Sequence, residues 1–102
     1  MGKNKEEEDN GLLKSDGLIL VSILQGNRNT ISDLSKRCRM SYLYTMTIIK
    51  KLERKGLIKT RKDNKFRFVS LTEKGAVLAE KIREIISIYK EEKLMNEGTK
   101  VI

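Results

Sequence analysis

The chain has 102 residues, enough for one small domain and its core, with 38% hydrophobic and 5% aromatic residues and neither Trp nor Pro. It has no His and a single cysteine, Cys38, so the usual neutral-pH general base, the commonest nitrogen metal ligand, multi-Cys metal sites and an intrachain disulfide are all missing. This composition argues against metal and nucleophilic catalysis, predicts no cofactor, and makes a core shared between copies of so lean a chain an expectation.

The formal charge is +8, and it is unevenly placed. Between Lys36 and Lys74 lie 13 basic and 3 acidic residues, whereas the rest of the chain carries 9 basic and 11 acidic. An excess confined to one contiguous segment fits a polyanion footprint better than general solubility. The longest uncharged apolar run, Gly17 to Leu24, is too short to cross a bilayer, and no hydrophobic signal-peptide core opens the chain. An intracellular, cytoplasmic protein without a membrane partner is expected.

In chain order, residues 1–11 are polar with an acidic run from Glu6 to Asp9 and read as a flexible tail. A first helix begins near Leu12 or just after Ser15 and ends before Gly26. Leu13, Leu20, Ile23 and Leu24 line one side of it, with Leu18 and Val21 partly covered. Gly26-Asn27 supplies residues that tolerate the left-handed closing conformation. Thr30 caps a second helix over Ile31 to Arg37, with Asp33 placed to complete a capping box. Ile31, Leu34 and Cys38 face inward, Cys38 as a small buried hydrophobe.

Ser41 caps a third helix that runs to about Lys55 and is closed by Gly56. A short helix, a brief turn and a longer helix have helix-turn-helix spacing. The preferred buried stripe is Thr45, Ile48, Ile49 and Leu52; the alternative is Tyr42, Met46, Ile49 and Leu52. Both leave Tyr44, Thr47, Lys51 and Arg54 outside, and the preferred one also leaves Lys50 in solvent.

Leu57 to Lys62 and Phe66 to Leu71, separated by Asp63-Asn64-Lys65, read as a β-hairpin. Val69 and Leu71 share one face, Phe66 and Phe68 the other, with the two rings expected in the core. Arg61, Lys62, Lys65 and Arg67 crowd the tip. Thr72 caps a last helix to about Leu94, and 95–102 read as a frayed tail. Leu78, Ile82, Ile85 and Tyr89 form a coiled-coil-like seam, broadened by Val77, Ile86 and Ile88.

Two segments carry a resemblance to a known family. Lys51-Leu52-Glu53-Arg54-Lys55-Gly56-Leu57-Ile58 and, after the hairpin, Val69-Ser70-Leu71-Thr72-Glu73-Lys74-Gly75 resemble the recognition-helix end and wing exit of MarR-like winged-helix regulators. They are also similar to the small DNA-binding proteins of that build in archaea and their viruses and plasmids. The resemblance covers about Asp16 to Tyr89 and implies an α+β fold. That fold is a winged helix-turn-helix, a three-helix core plus β-hairpin wing over 12–75, with a long C-terminal dimerisation helix over 76–94.

It implies that the helix from Ser41 to Lys55 enters the major groove and that the hairpin is the wing. Arg61, Arg67 or Lys65 would match the wing arginine. The Leu78 to Tyr89 stripe matches the dimer helix. The chain is shorter than full-length MarR-like repressors, which leaves little material for their effector pocket, so no small-molecule effector is carried over.

The expected function is therefore that of a sequence-specific transcriptional regulator binding double-stranded DNA as a homodimer, not an enzyme. Ser41, Tyr44, Thr47, Lys50, Lys51 and Arg54 are the candidate recognition-helix contacts. Arg61, Lys62, Lys65 and Arg67 are the candidate wing contacts. An architectural DNA binder of low specificity and a winged helix used for protein interaction are the competing readings. Coating of duplex DNA at uniform affinity would mark the first, and absence of tight duplex binding the second.

Overall fold

In the computed structural model of the chain, the described backbone runs from residue 14 to residue 101, with side chains described to residue 90. The acidic segment over 1–11, Leu12, Leu13 and the side chains of 95–102 lie outside the described residues. Among those described, the order is α1 (Ser15–Gln25), α2 (Ile31–Arg37), α3 (Tyr42–Arg54), β1 (Ile58–Asp63), β2 (Phe66–Leu71) and α4 (Glu73–Val101). This is the winged-helix layout, and α4 continues past Leu94, where the sequence reading ends it.

One core joins the elements. Ile19, Leu20, Val21 and Ile23 of α1 pack with Ile31 and Leu34 of α2, with Ile48, Ile49 and Leu52 of α3, and with Ala79 and Ile82 of α4. Leu18, expected to be partly covered, is instead largely exposed, while Ile19 is fully buried. Cys38 is buried with this cluster, and Leu24, Leu71 and Leu78 are half-buried against it.

The helix ends show how the chain is turned. Gly26 has φ −92° and ψ 152°, so α1 closes in extended rather than left-handed backbone. A Cβ there would press on the Asn29 amide and the Arg37 guanidinium, which bond to each other and would have to shift to admit it. Thr30 caps α2 through Oγ1, which accepts the Asp33 N–H at 3.0 Å. At the far end, Met40 N–H donates to Ser35 O at 2.9 Å and Arg39 N–H to Lys36 O at 3.2 Å, the paired bonds of a Schellman motif. Its left-handed position is Arg39, with φ 55°.

A side chain at that φ costs roughly 1–2 kcal/mol, while glycine there would give back roughly 0.5–1 kcal/mol of unfolded-chain entropy. Arg39→Gly should therefore stabilise the fold by about 0.5–1 kcal/mol. Urea unfolding tests this, and a lower midpoint would place a stabilising contact on the Arg39 side chain.

The same motif closes α3 with glycine in the strained position. Leu57 N–H donates to Leu52 O and Gly56 N–H to Glu53 O, both at 3.0 Å, with Gly56 at φ 76°. The chain then enters β1, which pairs antiparallel with β2 from Ile58↔Leu71 to Asp63↔Phe66. Asp63 thus belongs to the strand, and the turn is Asn64-Lys65, with Asn64 at φ 59°, a conformation Asn tolerates. The loop before α2 adds an edge to this hairpin through a Thr30↔Phe68 bridge and a 2.8 Å bond from Val69 N–H to Asn29 O.

Where the wing runs into α4, it returns to Gly56 and Leu57. Thr72 N–H donates to Leu57 O at 3.1 Å, Thr72 Oγ1 donates to Gly56 O at 2.7 Å, and the same oxygen accepts the Gly75 N–H at 3.0 Å. The two sequence segments that carry the family resemblance are thereby halves of one junction. It fixes the end of α3, the start of the hairpin and the start of α4 against each other.

Candidate nucleic-acid interface

Ser41 starts α3 as expected, its Oγ accepting the Tyr44 N–H at 3.1 Å. Ser41 O accepts both the Thr45 N–H and the Thr45 hydroxyl, which buries that threonine without an unpaired group. The buried stripe is Thr45, Ile48, Ile49 and Leu52, the preferred register, with Tyr42 exposed and Met46 half-buried. Opposite it, Leu43, Thr47, Lys50 and Arg54 recur at spacings of four, three and four and are all exposed. Thr47, Lys50 and Arg54 stand on this face as the sequence predicts; Leu43 joins them, where the helical phase alone places it.

The α1-facing flank of α3 differs from the expectation. Lys51 Nζ lies 2.8 Å from Asp16 Oδ2, with side-chain exposures of 21% for Lys51 and 4% for Asp16. Lys51 is therefore not an outward cation: it neutralises an acid buried in the first turn of α1. The Tyr44 hydroxyl is 3.0 Å from Ser15 Oγ on the same flank, so its polar tip is shared with α1 while the residue remains half exposed.

Alternation along the hairpin sorts the wing cations. Lys62 and Arg67 are directly paired across the strands and share the face of Ile58, Thr60 and Val69, which looks toward α3. Thr60 Oγ1 donates to Glu53 Oε2 at 2.9 Å, and Arg67 lines a cavity of about 150 Å³ with Met46, Ile49 and Lys50. Two cations directly opposite each other are mutually destabilising unless an anion sits between them. Lys65 is at the tip. Arg61 lies on the other face, 3.9 Å from Asp63 and stacked at 5.5 Å over the Phe68 ring, whose centroid is also 4.9 Å from Arg28.

The phenylalanines are thus not core residues. Phe68 is half-buried under two guanidiniums, Phe66 is exposed, and Val69 takes the core position instead.

On α4 the four seam residues separate. Ile82 is 3% exposed and belongs to the chain's own core, so it is not available to a partner; Leu78 is half-buried against that core. Ile85 and Tyr89 are open, together with Val77, Ile86 and Ile88. A groove of about 410 Å³ runs between α1 and α4, lined by Gly17, Leu18, Met40, Ile82, Ile85 and Ile86 among others. Among the described residues no helix is long and apolar enough to cross a membrane, and no group of three His, Cys, Asp or Glu could hold a metal.

The fold and the exposed helix with its adjoining hairpin define a class. Residues 12–75 match the winged helix DNA-binding domain model, and the chain belongs to that family. The chain is similar to AF1382 of Archaeoglobus fulgidus at 30% identity and TM-score 0.69, covering 74% of this chain and 89% of that one. It shares its fold with a mutant of Escherichia coli MarR at 18% identity and TM-score 0.72, over 82% of this chain and 64% of that one. The Staphylococcus aureus MepR chain, solved as a DNA complex, matches at 20% identity and TM-score 0.69 over 96% of this chain and 87% of that one. No curated protein sequence matches the chain.

Proposed function

We propose that this DNA-binding protein is a sequence-specific transcriptional regulator that acts on double-stranded DNA as a homodimer. The observation that carries the reading is that Lys50 of the open α3 stripe and Arg67 of the wing line one cavity, with Lys62 directly opposite Arg67 on the same hairpin face. A helix of α3's width fits the major groove, where Lys50 and Arg54 reach guanine acceptors or flanking phosphates. Lys62, Lys65 and Arg67 supply phosphate attraction from the wing, which relieves the cross-strand repulsion. Ser41 holds the helix start and Tyr44 its α1 flank, while Arg61 contacts the backbone only from the wing's outer face. None of these roles requires a cofactor, a metal or catalysis. MepR, a protein of this fold solved with DNA, supports the assignment.

Selection from random duplexes, read by gel shift at two salt concentrations, tests it. One recovered sequence with a steep salt slope is expected; uniform coating of every duplex would favour the architectural reading.

The dimer rests on Ile85, Ile86, Ile88 and Tyr89, an apolar run along one exposed helix that is stabilised by leaving water. Ile85 is 55% exposed, so Ile85→Asp should leave the monomer folded while converting a dimer to monomers in light scattering. Affinity for a two-half-site duplex should fall with it. A wild type that is monomeric at micromolar concentration would sink the homodimer.

A further inference from the structure

The open stripe of α3 is divided by chemistry. Its C-terminal half, Lys50 and Arg54, is cationic, and its N-terminal half is apolar. Leu43, in the first turn, is 76% exposed, more than any other exposed large hydrophobic residue of the described chain. It lies outside the core cluster and outside the groove between α1 and α4, so neither packing nor that groove accounts for a leucine here. One turn further on, Thr47 Oγ1 donates to Leu43 O at 2.9 Å. That bond uses the only donor a threonine side chain has, leaving its γ-methyl and an oxygen lone pair for a ligand.

Neither residue can donate a hydrogen bond to the N7 and O6 acceptors of guanine. The apolar group displayed in the major groove is the C5 methyl of thymine. We infer that Leu43, with the γ-methyl of Thr47, is a reader of thymine methyl groups and the specificity-determining end of α3. This rests on the reading of α3 as the helix that enters the groove. A recovered site should then carry thymines under the start of α3, with guanines or phosphates under Lys50 and Arg54.

The test compares duplexes that differ only in that methyl. The duplex recovered by selection is made with thymine and with uracil replacing one thymine at a time. Wild-type protein should bind about four-fold more weakly for each contacted methyl removed, the effect of one buried methylene-sized group. Leu43→Ala should cut the thymine-over-uracil ratio to the share carried by the Thr47 methyl without changing the salt slope, because no phosphate contact is lost. Thr47→Ser, which keeps the hydroxyl and removes the methyl, should narrow the ratio.

Equal wild-type affinity for both forms at every position overturns the inference, and so does a Leu43→Ala protein that keeps the full ratio. The wild-type comparison decides even if a variant folds poorly. If selection recovers no preferred sequence, the regulator reading fails on that result alone. The ratio is then read on the random pool prepared with either base: a preference for thymine upholds the methyl reader, and equal affinity overturns it.

Discussion

Gly75→Ala is expected to destabilise the protein by at least ~3 kcal/mol, toward the upper end of what overpacking costs. Gly75 lies in the first turn of α4 with ordinary helical backbone, so the constraint is contact rather than conformation. A Cβ there would overlap Leu57 O and stand 2.9 Å from Leu57 C and 3.2 Å from Leu57 Cα, all backbone atoms. Leu57 cannot yield, because its N–H is bonded to Leu52 O and its carbonyl accepts the Thr72 N–H. Its side chain is also buried in the core. The helix would have to lift away, breaking the 3.0 Å bond from Gly75 N–H to Thr72 Oγ1 and loosening the packing of Ala79 and Ile82.

A loss of that size lowers the melting temperature of a domain this small by more than about 12 °C. Gly56→Ala is the comparison: its φ is 76° but a Cβ would meet open space, so only the net conformational cost applies, about 0.5–1 kcal/mol by the same balance as at Arg39. Thermal melts of the two variants decide. A Gly75→Ala protein as stable as Gly56→Ala would mean that α4 shifts freely at its start.

The second large effect concerns the ion pair between α1 and α3. Lys51→Met should cost about 3 kcal/mol, because it strands the Asp16 carboxylate in a site where its side chain is only 4% exposed. Asp16→Ala should cost less, about 1–2 kcal/mol, since the long Lys51 stem can carry its ammonium to water. The asymmetry is the test: urea midpoints in the opposite order would show that Asp16 has another route to solvent. A functional consequence follows from the same geometry. With its charge committed to Asp16, Lys51 contributes no phosphate contact, so Lys51→Met should leave the salt slope of DNA binding in place. Lys62→Ala should flatten that slope by roughly one unit.

Much of this molecule is legible in the chain because its local signals agree. The phase of Thr45, Ile48, Ile49 and Leu52 fixes which side of α3 is buried, and Thr30, Ser41 and Gly56 mark helix ends by their own capping chemistry. What periodicity reports is a face, not its occupant. The Leu78, Ile82, Ile85 and Tyr89 stripe is real, yet α1 covers Ile82 within the same chain, and no pattern along one helix could reveal that.

Lys51 is on the flank where a helical wheel puts it. Only the tertiary arrangement brings Asp16 to within 2.8 Å and removes the lysine from the candidate surface. In the hairpin, alternation separates Phe66 and Phe68 from Val69 and Leu71 correctly. Which set is core depends on the neighbours, and Arg28 and Arg61 cover Phe68 where apolar residues were expected.

The junction of Gly56, Leu57, Thr72 and Gly75 and the stripe of Leu43, Thr47, Lys50 and Arg54 share no residue, although both belong to α3 or adjoin it. Exposed positions clear of caps and cores usually tolerate substitution within about 0.5 kcal/mol, whereas the junction has no such slack. The surface proposed to read DNA is therefore separate from the residues that lock the fold. A library varied at the four stripe positions, with Gly56, Thr72 and Gly75 held fixed, should still fold in most of its members, and selecting it against new duplexes tests whether the stripe sets sequence preference.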